Sequence, residues 1–147
     1  KGHTEVVKLL LENSAERNID LNTNTSFGGT AFFEACENGH TEVVKLLLNH
    51  SDPSIELNAR DAFGNTAFLI ACREGHKEVV KLLLHHPDPS IELNARNELG
   101  DTALLWACRK GHTEVVKLLM NHSDPSIELN ARNETGWTAL ILARITR

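Results

Sequence analysis

No apolar stretch in this sequence approaches the roughly 20 residues that a bilayer-crossing helix needs. Its unbroken apolar runs are short, such as Leu46-Leu47-Leu48, and no signal-like segment opens the chain. Lysine and arginine form no cluster, and the net charge is −5 with a pI near 5.9. That balance argues against a nucleic-acid or anionic-membrane surface, because nothing is gathered to neutralise phosphates. Catalytic signatures are missing as well. There is no Gly-x-Ser-x-Gly, no phosphate-cradling glycine loop and no His-Glu-x-x-His. With four prolines among 147 residues, 41 % apolar and 24 % charged, no part reads as a disordered tail or linker.

What the sequence does contain is a repeat. Gly-His-Thr-Glu-Val-Val-Lys-Leu-Leu begins at Gly2 and returns at Gly39 and Gly111, with Lys77 replacing the threonine in the copy that starts at Gly75. Out of phase with it stand Gly29-Thr30-Ala31-Phe32, Asn65-Thr66-Ala67-Phe68, Asp101-Thr102-Ala103-Leu104 and Trp137-Thr138-Ala139-Leu140. Residues 58–93 and 94–129 share 25 of 36 positions. One unit therefore fills the chain: three full copies at 22–57, 58–93 and 94–129, with partial copies at 1–21 and 130–147, forming a single domain.

Elementary physics dictates the shape of the unit. Thr30, Thr66, Thr102 and Thr138 precede short helix-forming stretches and are placed to cap their free N–H groups. Gly39, Gly75 and Gly111 follow, where a helix end wants a left-handed residue. A second helix starts with Glu42, Glu78 or Glu114 in its first turn, favourable for the helix dipole. Its Val-Val-Lys-Leu-Leu-Leu core is too apolar for a surface helix, so neighbours must cover it and leave Lys45, Lys81 and Lys117 at the edge. Asp-Pro at 52–53, 88–89 and 124–125 stops that helix. An extended segment then leads to a hairpin-like finger around Phe63-Gly64-Asn65 and its equivalents. Two helices of about ten residues cannot bury their own apolar faces. The units must stack, and the expected fold is an all-α solenoid of helix–turn–helix units joined by fingers.

The helix, the Gly-His turn, the Glu-Val-Val-Lys-Leu-Leu-Leu helix and the finger Asn-Ala-Arg-(Asp/Asn)-x-x-Gly-x-Thr together resemble the ankyrin repeat over essentially the whole chain. There are two departures. The unit is about three residues longer than the family's, around Asp-Pro-Ser-Ile. The family's Thr-Pro-Leu-His becomes Thr-Ala-Phe-Phe and its relatives, so the histidine that often ties neighbouring repeats is lost at Phe33, Leu69, Leu105 and Ile141. Apolar packing is expected to replace it. The resemblance implies a protein-binding module whose concave face is formed by inner helices and fingers. It also puts the finger residues Asn58, Asn94 and Asn130 forward as substrates for an intracellular asparagine hydroxylase.

Repetition disposes of most apparent chemistry. Cys36, Cys72 and Cys108 recur once per unit. Stacked units place them roughly 8–10 Å apart, too far for disulfides, so they read as core residues in a reducing, intracellular, cytoplasmic setting. The histidines form ladders and do not converge as metal ligands must; only the adjacent His85-His86 breaks the pattern. The Gly-His histidines read as structural hydrogen-bonders at the inter-helix turn. Carboxylates that appear once per repeat belong to architecture, so neither a catalytic residue nor a cofactor or metal site is expected.

Positions where the copies disagree are the candidates for function. They cluster in the fingers (Phe27 and Gly29, Phe63 and Asn65, Leu99 and Asp101, Trp137) and along the inner helix. Tryptophan and arginine are the usual interface anchors. The expected partner-binding set is Glu34, Phe63, Ile70, Arg73, Leu99, Trp106, Arg109, Lys110 and Trp137, acidic early and basic late. The plainer alternative is that Trp106 packs on its neighbours and that Phe27, Phe63 and Leu99 staple adjacent fingers. Arg144 takes the cysteine position in the last helix, as a terminal cap would, whereas the first outer helix shows no cap; further repeats or another domain are expected before it. A monomer that binds a protein partner is the leading expectation. A regulatory or targeting segment of a larger enzyme, or a structural or engineered array, are the others.

Overall fold

The computed structural model describes residues 3–51, 55–87, 90–122 and 127–145. The Asp-Pro steps lie outside the described residues. Nine helices and no strand occur among the described residues. They are α1 (Thr4–Glu12), α2 (Ser14–Arg17), α3 (Ala31–Glu37), α4 (Thr41–Leu48), α5 (Ala67–Glu74), α6 (Lys77–Leu84), α7 (Ala103–Lys110), α8 (Thr113–Asn121) and α9 (Ala139–Ile145). An inner layer α3–α5–α7–α9 packs side by side, and an outer layer α1–α4–α6–α8 runs behind it. α3, α5 and α7 are each joined to the outer helix that follows, α4, α6 and α8, as an antiparallel pair.

Local chemistry sets the helix ends. The side chains of Thr30, Thr66 and Thr102 accept hydrogen bonds from the backbone N–H of Phe33, Leu69 and Leu105 at 3.2, 3.3 and 3.4 Å. Each threonine is extended and its helix starts one residue later. Gly75 and Gly111 close α5 and α7 at φ +77° and +73°, a left-handed conformation that a side chain would strain. Residues 14–17 wind into the short helix α2, and the buried Ser14 hydroxyl donates to Leu11 O at 2.8 Å.

The core runs the length of the stack between the two layers, through Phe32, Val44, Phe68, Val80, Leu105 and Val115. All three cysteines are free and buried in it, and burial pushes each thiol above its ordinary range. The replacements for the lost histidine, Phe33, Leu69 and Leu105, are buried too. Polar ties between units come from elsewhere. His76 Nε2 donates to Glu37 O and His112 Nε2 to Arg73 O, each at 2.8 Å and each reaching the preceding unit. A carbonyl can only accept, so these bonds hold the proton on Nε2. His76 and His112 therefore bond across units as well as shaping the turn. On the outer side, His50 and His122 tie to Leu11 O and Leu84 O in the same way.

The fingers carry no strand among the described residues. Asp61 N–H donates to Asn65 O and Gly64 N–H to Asp61 O, both at 3.0 Å, closing one turn. Consecutive fingers are then laced together. Ala62 N–H donates to Phe27 O, Glu98 N–H to Phe63 O, and Glu134 N–H to Leu99 O. Arg60 spans two units, donating to Gly64 O and to Arg96 O at 2.9 Å and pairing with Glu92 at 2.8 Å; Arg96 repeats the pattern one unit later.

Candidate functional site: the finger row and the arginine–tryptophan cluster

Because neighbouring fingers bond through the carbonyls of Phe27, Phe63 and Leu99, the side chains of those residues stand one per unit along the finger tips. They are exposed, Phe63 to 61 %. Trp137 lies in the last finger, with its backbone N–H held by Asn133 Oδ1 at 2.9 Å and its indole partly exposed. Beside this row, on the inner helices, Trp106 is enclosed by two guanidinium groups. The Arg109 carbon lies 4.5 Å and the Arg73 carbon 5.7 Å from the Trp106 ring centroid, distances at which a cation is attracted by the ring. The Trp106 Nε1 is buried without a hydrogen-bond partner.

Each arginine is held in turn by acids. Arg73 pairs with Glu74 at 2.7 Å and with Glu37 at 3.6 Å. Arg109 meets the fully buried Asp101 at 3.0 Å. The 3.0 Å approach is of Nη1 to Oδ2; Oδ1 accepts from Arg109 Nη2 at 3.5 Å and from Asn133 Nδ2 at 2.8 Å. Burial and the neighbouring Glu34 carboxylate raise the Glu37 pKa, Arg73 works against them, and Glu74 and Asp61 add to the rise. The face is therefore acidic around α3 and the end of α5, and more cationic at the end of α7, where Lys110 is exposed.

A family model described as ankyrin repeats (three copies) matches residues 1–97 and 90–146. The chain belongs to the ankyrin-repeat family. Ankyrin repeats are in general protein-interaction modules. Over 48 residues the chain is 50 % identical to the E3 ubiquitin-protein ligase XBAT33 of Arabidopsis thaliana. Over 48 residues it is also 46 % identical to the probable E3 ubiquitin-protein ligase XBOS33 of Oryza sativa subsp. japonica. Each match covers 33 % of this chain, and 9 % and 8 % of those proteins, so the chain corresponds to less than a tenth of either.

Against this ankyrin frame the expected site divides. Phe63, Leu99, Trp137 and Lys110 are exposed, whereas Glu34, Arg73, Trp106 and Arg109 are half-buried on the same face. Ile70 is a correction. It is 0 % exposed and belongs to the core cluster, so it cannot touch a partner. An apolar side chain in that helix column gains by turning into the core, and Leu142 in the same column does likewise. Trp106 also follows its plainer reading in part, since it packs on its neighbours. Finger stapling is real too, but it is done by backbone carbonyls and leaves the side chains free.

Asn65 and Asp101, which looked like partner-facing variation, are buried. Asn65 Oδ1 accepts from Asn97 Nδ2 at 3.0 Å, and Asp101 accepts from Asn133, so both belong to a polar ladder between fingers. The signal was present in the sequence. Asp61 with Asn65 becomes Asn97 with Asp101, an exchange that keeps one carboxylate and one amide in each of these two fingers. The finger asparagines Asn58 and Asn94 are likewise engaged, their Oδ1 atoms accepting from Glu92 N–H and Glu128 N–H at 3.0 Å. Of the adjacent histidines, His85 is engaged on the outer side of the stack. Its ring stacks edge-on against His122 at 5.9 Å and donates from Nδ1 to Lys81 O.

Proposed function

We propose that this chain is a non-catalytic module that holds a protein partner on its concave face, through the finger tips and the exposed parts of the inner helices. The supporting observation is the row Phe27, Phe63 and Leu99, at matching positions in three successive fingers; Trp137 is exposed in the last finger, at the position of Asn65 and Asp101. These apolar side chains stay exposed in units whose inner helices are otherwise well covered. An ordered apolar row next to arginine and tryptophan is the composition of an interaction patch. Glu34, Arg73, Trp106, Arg109 and Lys110 would give a bound segment its polarity, with its cationic end over α3 and its anionic end over α7. Residues 1–147 act as one stack, and buried thiols suit a reducing intracellular compartment.

The test is affinity capture with the chain and a Phe63→Ser, Leu99→Ser variant. Both positions are exposed, so the fold should persist. Ligands held by the parent and lost from the variant support the finger row; equal recovery sinks it. Arg109→Glu is a poorer probe, because it would leave Asp101 buried without its cation.

A second reading rests on the two relatives, both named as E3 ubiquitin-protein ligases. In it the chain is a targeting segment of a larger enzyme whose chemistry lies in other residues. It makes the same use of the concave face.

A further inference from the structure

Asp101 is a fully buried carboxylate held between α7 and the next finger. A charge taken out of water needs a cation and hydrogen bonds in compensation. Arg109 supplies the cation, with Nη1 3.0 Å from Oδ2 and Nη2 donating to Oδ1 at 3.5 Å. Asn133 of the next finger donates to the same Oδ1 from Nδ2 at 2.8 Å. The preceding unit shows what the charge adds. There Asn65 holds the equivalent place, is also buried, and accepts from Asn97 Nδ2 at 3.0 Å. An amide therefore suffices to bond one finger to the next. Arg73, the counterpart of Arg109, pairs with Glu37 and Glu74 instead. What the carboxylate adds over the amide is its hold on Arg109.

We infer that Asp101 is the positioning residue for Trp106, fixing the indole in one orientation through Arg109. The inference rests on the partner-binding role proposed above, in which Trp106 belongs to the face that meets the partner. Both Nη atoms of Arg109 face one carboxylate, and a planar guanidinium held in this way has little freedom to turn. Its carbon stands 4.5 Å from the centroid of the Trp106 ring, which lies one helical turn back on α7. The indole has no hydrogen bond of its own to set its orientation, because Nε1 is buried without a partner. The fixed guanidinium sets it instead, with Arg73 standing farther off at 5.7 Å. Trp106 is thus ordered before any partner arrives, and less ordering remains to be done on binding. Asn133 ties the same carboxylate to the last finger, where its Oδ1 accepts from Trp137 N–H at 2.9 Å. That second link needs only an acceptor at residue 101, as Asn65 shows, so it is independent of the charge.

The experiment is time-resolved fluorescence anisotropy with acrylamide quenching on the 147-residue chain, whose two tryptophans can be read one at a time. Trp137→Phe leaves Trp106 as the single emitter, and Trp106→Phe leaves Trp137. In the Trp137→Phe background, Trp106 should lose anisotropy only as the whole chain tumbles. Adding Asp101→Asn, which keeps an acceptor for Asn133, should give Trp106 a faster local component and raise its quenching constant about twofold. Adding Arg109→Lys should do the same, since it leaves Asp101 a cation but removes the planar fork. It also keeps the test open should Asp101→Asn fail to fold, which helical circular dichroism checks. In the Trp106→Phe background, Asp101→Asn should leave Trp137 as it was. Unchanged anisotropy and quenching of Trp106 in both variants overturns the proposal, because packing alone would then hold the ring. So does an equal loosening of Trp137, which would mean that the unit had come apart as a whole. These readouts use the free chain, so their failure is distinct from failure of the capture experiment on the finger row.

Discussion

Leu104 and Leu140 occupy the same place in two copies of one unit, each after the Thr-Ala that starts an inner helix. One is 5 % exposed and the other 80 %. The outer layer shows the same contrast, with Leu119 at 2 % and Leu10 at 49 %. The residue and its place in the helix are the same in each pair, so neither propensity nor pattern accounts for the difference. What differs is the neighbour. A short helix in this chain acquires its core only from the units beside it, and stability is close to a sum of nearest-neighbour contacts. The middle of the stack is folded from both sides and the ends from one.

Truncating matched residues should break that comparison most sharply. Leu119→Ala should cost about 2–5 kcal/mol, as buried leucines do. Leu10→Ala, which removes the same atoms from a half-exposed site, should cost under about 1 kcal/mol. Denaturant unfolding of both variants measures the gap, and equal costs would mean that the ends are as well supported as the middle.

The glycine turns offer a finer test. Gly75 and Gly111 share a left-handed backbone, and alanine at either should cost about 1–2 kcal/mol for that alone. A Cβ at Gly75 would in addition come within 2.6 Å of the His112 ring, which its bond to Arg73 O holds in place; at Gly111 it would meet nothing within 4 Å. Gly75→Ala should therefore lower the melting temperature more than Gly111→Ala. An equal drop would show that the cross-unit histidine contributes little.

The smallest expected effect is electrostatic. Glu37 sits among Glu34, Glu74 and Asp61, and its folded-state pKa is raised. The folded chain then binds a proton more readily than the unfolded chain, so this residue's contribution to stability falls as pH rises through the raised pKa. Glu37→Gln should be slightly more stable than the parent at neutral pH, by under about 0.5 kcal/mol. The gain should vanish below the ordinary glutamate range. A loss of stability at neutral pH would mean that the pairing with Arg73 outweighs the repulsion.

Much of the fold is legible in the sequence because it is made by events within four residues of one another. A threonine reaching the N–H three residues on, or a glycine turning left after a helix, depends on nothing distant. Repetition then labels such residues by making them recur. The candidate face was legible only as a set of variable columns. Variation did not separate residues that face outward from residues that vary together beneath the surface. Phe63 and Leu99 vary and are exposed; Ile70 varies and is buried; Asn65 and Asp101 vary because each answers a partner in the next finger.

The sequence by itself thus determined the unit, its helix ends and the fact of stacking, since periodicity and capping are local and a lone unit has no core. Tertiary structure alone decided which copy of a residue is covered. Burial is a property of the pair of units that meet, so identical leucines could come out as core in α7 and α8 and as bare surface in α1 and α9. The same pairing brought Arg73 of α5 over the Trp106 ring of α7, a contact that no local spacing in the sequence announces.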